Sequence, residues 1–412
     1  MSAAPTTARK VNVRTPEVME RVQAQVETHY RSEIVEKIRQ GGGSITVGNT
    51  TFRLAKDFGF CYGVERAIDL AYAARKVFAE RKVYLLGEII HNPEVNRQLS
   101  EMGIISIPLK QQEETIATLS SEDVVIVPAF GAETKLMKLI SERGCLTVDT
   151  TCGDVMSVWK RVRGYAKEGV TSIIHGKSAH EETRATSSRA LGDKGDGHYL
   201  VVLTLDDVDY VCDYIRNGGD KQAFLDRFAG AYSVNFDPDQ HLRRVGVANQ
   251  TTMLKSETED FQRRIRQAII DRDGPEEGGK NYQVFDTICG ATQERQDALF
   301  GLLKTPLDLL LVVGGYNSSN TTHLVEIGEQ YLPTFFIRNA ECLRDLEKIV
   351  HFDLHQKEEI TSYTKLFQPE NSVTIGITAG ASCPNNLIED TIVRVLELRG
   401  VDKGQVDEVL SA

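Results

Sequence analysis

Three of the seven cysteines have the local sequence of a reactive or metal-binding residue. Cys61, Cys152 and Cys289 each end a strand-like segment and directly precede a helix-like one. Cys152 and Cys289 share an Asp-Thr-x-Cys-Gly core, and Cys61 lies in a looser version, Gly59-Phe60-Cys61-Tyr62-Gly63. Backbone N–H groups and the positive end of a helix dipole favour a thiolate at such a turn. The pattern predicts three similar units that bring these cysteines to one metal centre.

The spacing of these cysteines favours an iron–sulfur cluster over structural zinc, because zinc sites usually contain a closely spaced pair. A [4Fe–4S] cluster with three thiolate ligands leaves one iron without a protein ligand, and that iron can act as a Lewis acid on a substrate oxygen. A free cysteine is often only a small buried hydrophobe. We interpret Cys145, Cys212 and Cys342 in this way. Cys383 is the candidate for a fourth ligand, and we rank it below Cys61, Cys152 and Cys289.

Polar residues also follow five other strand-like segments. They lie in Glu88–Pro93, His175–Glu182, Asn249–Thr252, Gly314–Asn320 and Gly380–Ser382. In parallel α/β sheets, ligands bind at the carboxyl ends of the strands. One such turn is often only a helix cap, but five turns with hydroxyls, amides and imidazoles beside glycine suit a phosphate. Glu182 is the carboxylate of this set placed to deliver protons.

Length and composition limit the class of protein. A chain of 412 residues is too long for one ordinary core, so two or three domains are expected. The formal charge of −11 argues against a general nucleic-acid or membrane-surface role. No apolar run reaches the ~18 residues of a membrane span, and no signal peptide opens the chain. Seven scattered cysteines form no disulfide framework, which indicates a reducing compartment.

From Thr51 onward, short apolar strands alternate with helices, which predicts parallel α/β units. The clearest strand segments are 83–86, 124–127, 172–174, 199–203, 245–248, 309–313 and 373–377. Before them, Thr15-Pro16-Glu17 begins a helix with an apolar stripe from Val18 to Ile38, which ends at Gly41. Residues 271–281 are predicted to be a flexible connection, and residues 282–288 a strand.

These boundaries predict an arm, three domains and a tail. The segments are 1–50 (N-terminal helical arm), 62–152 (first α/β domain), 153–281 (second α/β domain with an insertion), 282–400 (third α/β domain, completed by the 51–61 strand) and 401–412 (C-terminal tail).

Taken together, the motifs resemble those of the 4-hydroxy-3-methylbut-2-enyl diphosphate reductase family, also called the LytB or IspH family. The motifs are Gly59–Val64, His91-Asn92-Pro93, Asp149–Cys152, His180–Thr183, Gln250-Thr251-Thr252, Asp286–Thr292, Asn317–Asn320 and Thr378–Ser382. They occur in the family's order over roughly residues 52 to 400. The N-terminal arm and the long middle segment resemble the cyanobacterial and plastid branch.

The resemblance implies three similar parallel α/β domains arranged as a trefoil around one central [4Fe–4S] cluster, with Cys61, Cys152 and Cys289 as ligands. It implies that two electrons and protons remove the substrate's terminal hydroxyl as water, in the last step of the non-mevalonate isoprenoid pathway. The products would be isopentenyl and dimethylallyl diphosphate. Glu182 would relay protons with help from Thr251.

The resemblance also implies the groups that bind the substrate. His180 and Thr251 would lie beside it, and its diphosphate would be held by His91, Ser318, Ser319, Asn320 and Ser382. One position departs from the family. Many members carry a second diphosphate-binding histidine in an Ala-His-Gly turn, where this chain has Phe130. Lys177 is the nearest candidate to replace it.

The expected electron donor is reduced ferredoxin, or flavodoxin. Because this enzyme and ferredoxins are both acidic, docking requires a local basic patch. Lys160, Arg161, Arg163 and Lys167, on the helix predicted after Cys152, form one candidate, and a solvated helix face is the alternative. The short leader favours a bacterial, cyanobacterial cytoplasm over the plastid stroma. The oligomeric state is open.

Two other functions compete with the reductase. A non-catalytic iron–sulfur electron carrier or redox sensor would have no use for Glu182 or for five phosphate-type turns, and would normally saturate its cluster with four ligands. A cluster-dependent dehydratase would use the same open iron without net redox change. An anaerobic assay with and without an electron donor separates these alternatives.

Overall fold

A computed structural model describes residues 9–285, 287–365, 367–401 and 404–405. Asp286 of the third cysteine motif, the first eight residues of the predicted arm and most of the predicted tail lie outside this range.

The strands are β1 (Arg9–Lys10), β2 (Ser44–Val47), β3 (Thr50–Leu54), β4 (Val83–Leu86), β5 (Ile104–Ile107), β6 (Val124–Val127), β7 (Leu146–Asp149), β8 (Thr171–His175), β9 (Tyr199–Val202), β10 (Val245–Asn249), β11 (Tyr282–Val284), β12 (Leu309–Val313), β13 (Thr334–Ile337), β14 (Lys348–Asp353), β15 (Glu358–Tyr363) and β16 (Val373–Ala379). The α-helices are α1 (Pro16–Tyr30), α2 (Glu33–Gln40), α3 (Tyr62–Val77), α4 (Pro93–Glu101), α5 (Gln112–Thr118), α6 (Thr134–Glu142), α7 (Gly153–Lys167), α8 (Glu181–Ala190), α9 (Leu205–Asn217), α10 (Lys221–Arg227), α11 (Pro238–His241), α12 (Lys255–Asn281), α13 (Gly290–Leu303), α14 (Ser319–Gly328) and α15 (Asn385–Leu398). Short 3₁₀ helices cover Leu109–Gln111 and Ala340–Cys342.

Three sheets contain most of these strands. The first has the order β1-β7-β6-β4-β5 and the second β11-β10-β8-β9, and every pairing in both is parallel. The third has the order β13-β12-β16-β3-β2, parallel except for its edge strand β2. Strands β14 and β15 form a separate antiparallel hairpin. The predicted parallel α/β fold class is confirmed.

The described residues form two compact units. The first unit contains residues 9–12, Phe78–Gly87 and Ile104–Cys289, and therefore the first and second sheets. The second unit contains Val13–Val77, Glu88–Gly103 and the described residues from Gly290 onward, with the third sheet and the hairpin. The division into three domains stays a prediction. Among the helices that the structure describes, none has the length and apolar character needed to cross a bilayer.

The central strands could be located from the sequence because they are buried. Strands β6, β8, β10 and β12 are buried at every position. Near-continuous apolar runs are typical of parallel strands covered on both faces. Each of the seven predicted segments lies on a strand, and the ends differ by at most two residues.

The N-terminal arm differs from the single helix that its apolar stripe predicted. Helix α1 ends at Tyr30, and Arg31 and Ser32 are both extended. The Ser32 hydroxyl accepts a hydrogen bond from the Val35 N–H, and so caps a separate helix, α2. The segment predicted as arm also contributes strands: β1 pairs with β7, and β2 pairs with β3.

The segment before Cys289 was predicted wrongly in two respects. Residues 271–281 belong to α12, which is interrupted only at Gly274, where φ is 79°. Pro275 is tolerated because it opens the helical segment after this break. The strand that follows is short and joins the second sheet, with Val245 opposite Tyr282. Val284 pairs with Val247 of β10, and β10 ends two residues later at Asn249. The chain after Val284 therefore has only Ala248 and Asn249 left as possible partners on β10.

Candidate active site

Each of the three predicted ligand cysteines directly precedes a long helix and is partly exposed. The Cys61 N–H donates to the Ala381 carbonyl at 3.2 Å, and the Cys152 N–H to the Ala129 carbonyl at 2.8 Å. These bonds fix the backbone at a helix N-terminus, where the dipole stabilises a thiolate. An iron–sulfur cluster requires ligands of this kind, so the residues fit the predicted group.

The other four cysteines are buried. Burial raises the pKa of the Cys212 thiol to about 11 and raises that of Cys145 as well. The Cys383 side chain is fully buried, which raises its pKa far above the usual value, and its sulfur contacts the Pro384 carbonyl at 3.6 Å. A buried neutral thiol is a poor ligand, and this supports ranking Cys383 below the three.

A buried carboxylate in the first unit is held by one threonine. Glu182 is 3% exposed. Its Oε1 accepts the Thr251 N–H at 2.6 Å, and its Oε2 accepts the Thr251 hydroxyl at 3.0 Å. The Thr251 carbonyl in turn accepts the Cys289 N–H at 3.2 Å. The candidate acid is therefore connected to a candidate cluster ligand through a single residue.

His180 belongs to the same group. It is the N-cap of α8, and its Nδ1 accepts the Glu182 N–H at 3.2 Å. A histidine that caps in this way has its proton on Nε2 when neutral. We call His180, Glu182 and Thr251 the acid region.

Gln250 fixes the position of the acid region. The Gln250 side-chain Oε1 accepts hydrogen bonds from the Lys177 N–H at 3.1 Å and from the Thr183 hydroxyl at 3.0 Å. The backbone N–H of Gln250 donates to the His175 carbonyl at 2.8 Å. Gly176 lies so close that a Cβ there would be 2.9 Å from the Gln250 side chain. The ends of β8 and β10 are thereby locked together, and they place α8 and Thr251.

The Cys152 turn packs against the same helix. Cys152 contacts a small apolar cluster of Val155, Trp159 and Ala185, and Ala185 lies on α8. The Thr151 hydroxyl and N–H both bond to Asp149, which forms the turn before the cysteine. The first unit therefore positions Cys152 and the acid region on shared elements.

In the second unit, hydrogen-bond donors converge from three turns. Ser318 caps α14, and its Oγ accepts from the Thr321 N–H at 3.4 Å. The Ser382 hydroxyl lies 3.3 Å from Ser318 Oγ and 3.2 Å from the His91 carbonyl. The Asn320 Oδ1 accepts the Ala381 N–H at 2.8 Å. We call His91, Ser318, Asn320 and Ser382 the anion region.

Two side chains of the anion region suit a bound anion. The Asn320 Nδ2 group is buried, and within the described part of the chain no acceptor lies within hydrogen-bonding distance of it. A buried donor without a partner is costly, so such a group is expected to face a ligand. His91 Nδ1 lies 3.0 Å from Glu88 Oε2, which favours the tautomer with its proton on Nδ1. Ser319, the first residue of α14, is also buried.

The sequence interpretation overlooked the residues that orient these groups. Asn317 Nδ2 donates to Glu88 Oε2 at 2.9 Å and lies 3.3 Å from His91 Nδ1. Arg295, which is 5% exposed, donates to the Gly59 carbonyl at 2.6 Å. Asn317 and Glu88 lie inside quoted motifs and could have been included, whereas no sequence pattern pointed to Arg295.

The turn that departs from the family packs on the acid region. Phe130 is 8% exposed, and its ring meets the His180 ring edge to face, with centroids 6.5 Å apart. Lys177 is partly exposed and lies three residues before His180. Both are therefore placed near the candidate acid, while their role toward a diphosphate stays a prediction.

The basic residues of α7 are all exposed. Lys160, Arg163 and Lys167 recur at three- and four-residue steps, so they share one helix face. Arg161 lies over the Phe285 ring at 3.8 Å, which makes it part of a packed contact. Lys160 and Arg163 are thus the clearest members of a basic patch.

The fold and these residues define a parallel α/β protein with three helix-start cysteines, a buried carboxyl group and a group of converging hydrogen-bond donors. The chain belongs to the LytB protein family, whose sequence profile matches residues 52–396. The resemblance seen in the motifs is therefore confirmed. Two relatives are named 4-hydroxy-3-methylbut-2-enyl diphosphate reductase. The protein from Synechococcus sp. (strain RCC307) is 47% identical, and the match covers 94% of this chain and 93% of that protein. The protein from Gloeobacter violaceus is 46% identical, and the match covers 95% of this chain and 93% of that protein.

Solved structures agree with this assignment. A structure of (E)-4-hydroxy-3-methyl-but-2-enyl diphosphate reductase, the terminal enzyme of the non-mevalonate pathway, is 26% identical with a TM-score of 0.51, and the match covers 85% of this chain and all of that one. The Plasmodium falciparum reductase has the same fold, with a TM-score of 0.59 at 22% identity over 83% of this chain and 86% of that one.

Proposed function

We propose that this chain is a 4-hydroxy-3-methylbut-2-enyl diphosphate reductase. The reaction breaks the terminal C–O bond of the substrate. Two electrons and one proton go to the allyl fragment, and a second proton leaves with the hydroxyl as water. The products are isopentenyl and dimethylallyl diphosphate, as the resemblance to the family implies.

The observation that carries this proposal is the contact chain from Cys289 through Thr251 to Glu182. An electron carrier needs a cluster but has no use for a buried acid connected to a ligand cysteine. A general acid must be protonated and within reach of the reacting group. Since a hydroxyl both donates and accepts, the contact between Glu182 Oε2 and Thr251 Oγ1 can hold the transferred proton on either side.

The cysteines are assigned to the cofactor. Cys61, Cys152 and Cys289 would hold one [4Fe–4S] cluster, which when bound would supply electrons and an iron that is free to act as a Lewis acid. Their helix-start positions and partial exposure support this ligand set over any that includes a buried cysteine.

The anion region is assigned to the diphosphate. Ser318, Asn320 and Ser382 offer neutral donors, and the N-terminus of α14 adds backbone N–H groups and a positive dipole. His91, held by Glu88, is the fourth donor. Ser319 is included because it is the first residue of the same helix.

The electrons must come from another protein, for which we propose a reduced ferredoxin or flavodoxin. The exposed basic face of α7 supports docking of an acidic carrier, because it begins at Lys160, eight residues after Cys152, in a chain of net charge −11.

The test is an anaerobic assay of the reconstituted full-length protein with the substrate, with and without a reductant. We expect isopentenyl and dimethylallyl diphosphate only when reductant is present. Conversion without reductant would indicate a dehydratase, and no conversion with any reductant would indicate a carrier or sensor.

A further inference from the structure

A turn next to Cys61 is held by side chains that lie outside the family-matched segment. The match to the family begins at residue 52, and α1 and α2 precede it. Tyr30 ends α1 and Arg39 is near the end of α2. Both reach the Phe58–Cys61 turn. All of these residues belong to the second unit.

Arg39 makes two contacts with the turn. Its guanidinium donates to the Phe58 carbonyl at 2.8 Å and lies 4.0 Å over the centre of the Phe58 ring. A second guanidinium nitrogen bonds to Glu36 at 3.2 Å, and Glu36 accepts from Asn385 Nδ2 at 3.3 Å. A planar guanidinium can bond and stack at once, which a lysine cannot do. Arg39 therefore ties α2 to the turn and to the start of α15.

Tyr30 covers the other end of the turn. Its ring meets the Phe60 ring edge to face at 5.5 Å, and Phe60 is the residue before Cys61. The Tyr30 hydroxyl is held by Tyr72, whose own hydroxyl contacts His29 Nδ1 at 2.7 Å. Tyr30 is 7% exposed, so its ring is fixed in place by its surroundings.

The turn itself has little freedom once these contacts form. Gly59 has a φ of 83°, and a Cβ there would lie 2.5 Å from Asn385 Oδ1. Its carbonyl accepts from Arg295. Residues of the arm and of the turn, among them Tyr30, Arg39, Phe58 and Phe60, line a cavity of about 480 Å³. Arg39 and Tyr30 contact the turn directly, so substitution of either side chain should affect the turn.

We infer that the N-terminal arm is a positioning element for Cys61: Arg39 and Tyr30 hold the Phe58–Cys61 turn so that the thiolate retains the cluster. This inference rests on the proposed function, in which Cys61 is a cluster ligand. Arg39 and Tyr30 touch neither substrate nor reacting atoms, and they act through the turn.

The experiment measures cluster retention rather than activity. The full-length protein is reconstituted without oxygen, iron and sulfide per chain are determined, and the bleaching of the cluster absorbance is timed in air. Arg39→Ala should lose its cluster about tenfold faster than the parent, since it removes a charge-assisted bond and a ring contact. Tyr30→Phe keeps the ring and should match the parent, whereas Tyr30→Ala should bleach faster.

Arg399→Ala is the matched control. Arg399 lies in the same unit and, like Arg39, donates to backbone carbonyl groups, here those of Gln368 and Asn371, and none of these residues belongs to a cysteine motif. The Arg399→Ala substitution should lower the thermal stability of the protein without changing the rate at which the cluster bleaches. Equal bleaching of Arg39→Ala and the parent would overturn the inference, as would equally fast bleaching of Arg399→Ala.

Two further variants keep the outcome decisive. If Arg39→Ala does not fold, Arg39→Lys retains the charge but not the planar stack. It should bleach at an intermediate rate, and a rate equal to the parent's would overturn the inference. Cys61→Ser distinguishes a failure of the proposed ligand set from a failure of the proposed role of the arm. A cluster retained in Cys61→Ser contradicts the proposed ligand set, whereas its loss together with a stable Arg39→Ala contradicts only the role of the arm.

Discussion

The acid region of the first unit and the anion region of the second unit use hydrogen bonds in different ways. In the acid region, both oxygens of Glu182 accept bonds from one residue, Thr251. In the anion region, Ser382 comes from one turn and Ser318 and Asn320 come from the start of α14, and the Asn320 Nδ2 group has no acceptor among the described residues. The first arrangement holds one carboxyl group in place, for which we propose proton transfer, and the second leaves the Asn320 donor for the proposed ligand.

This difference predicts two kinds of failure. Removing the acid should slow the chemical step without preventing binding, since the donors remain. Removing a donor should weaken binding of the anion, and turnover at saturating substrate should change less. Variants of the three candidate ligand cysteines should abolish turnover, because they remove the proposed cofactor.

The largest effect is expected from the cysteines. Replacing Cys61, Cys152 or Cys289 by Ser should remove or cripple the cluster and abolish turnover, because iron–sulfur clusters are held by thiolates. Iron content and visible absorbance after anaerobic reconstitution provide the measurement. Cys383→Ser is the control and should keep its cluster. Loss of the cluster from Cys383→Ser alone would show that the ligand set is wrong.

The next largest effect is expected in the acid region. Glu182→Gln keeps the shape and removes the titratable group, so kcat should fall ~10²-fold or more while KM changes little. Steady-state kinetics at several pH values provide the check. Glu142→Gln, at an exposed glutamate on α6 of the same unit, is the matched control for loss of one charge. A near-normal kcat in Glu182→Gln would mean that another group carries the proton.

In the anion region, the informative change is Asn320→Asp. It keeps an oxygen for the Ala381 N–H and replaces the buried Nδ2 donor by an acceptor. Loss of a hydrogen bond to a charged group should raise the Kd of the substrate ~10-fold or more. Inhibition by inorganic diphosphate should weaken in parallel. If kcat falls while both affinities are unchanged, Asn320 does not contact the diphosphate, and the contrast with Glu182 fails.

A smaller effect is expected for the electron donor. Lys160→Glu combined with Arg163→Glu should slow turnover with ferredoxin several-fold and leave turnover with a small chemical reductant unchanged. The loss should shrink as salt screens the attraction. Arg161 is left unchanged because its contact with Phe285 would confuse the result. Equal losses with both reductants would refute docking on this face.

The smallest effect concerns the turn that lacks the family histidine. If Lys177 replaces that group, Lys177→Ala should raise KM while leaving the cluster spectrum intact, and adding Phe130→His should recover part of the loss. Phe130 already packs on His180, so a purely structural role is the alternative. An unchanged KM in Lys177→Ala would decide for that alternative.

The sequence was most informative where one physical signal acted alone. The buried runs of β6 and β12 are apolar throughout, so their ends could be predicted to the residue. The cysteine motifs and the polar strand ends were visible because ligand groups in parallel sheets follow the strands. Other contacts that hold the site, such as that of Arg295 with the Gly59 carbonyl, join residues far apart in the chain and leave no local pattern.

The errors arose where two signals competed. The run from Tyr282 to Ile288 has the composition of a strand, but its partner β10 ends at Asn249, and pairing stops at Val284. Gly274-Pro275 resembled a loop, yet it is only a break between two helical segments. The apolar stripe of the arm continued across Ser32, whose capping bond starts a new helix. In each case a tertiary or capping contact overrode the local propensity.

The central claim is that this chain carries a cluster with one iron open to the substrate. The most direct measurement is the EPR spectrum of the anaerobically purified, reduced protein with and without 4-hydroxy-3-methylbut-2-enyl diphosphate. We expect one four-iron cluster per chain, with a signal that changes when substrate is added and does not change with inorganic diphosphate alone. A four-iron signal that the substrate leaves unaltered, or the absence of any cluster from active protein, would contradict it.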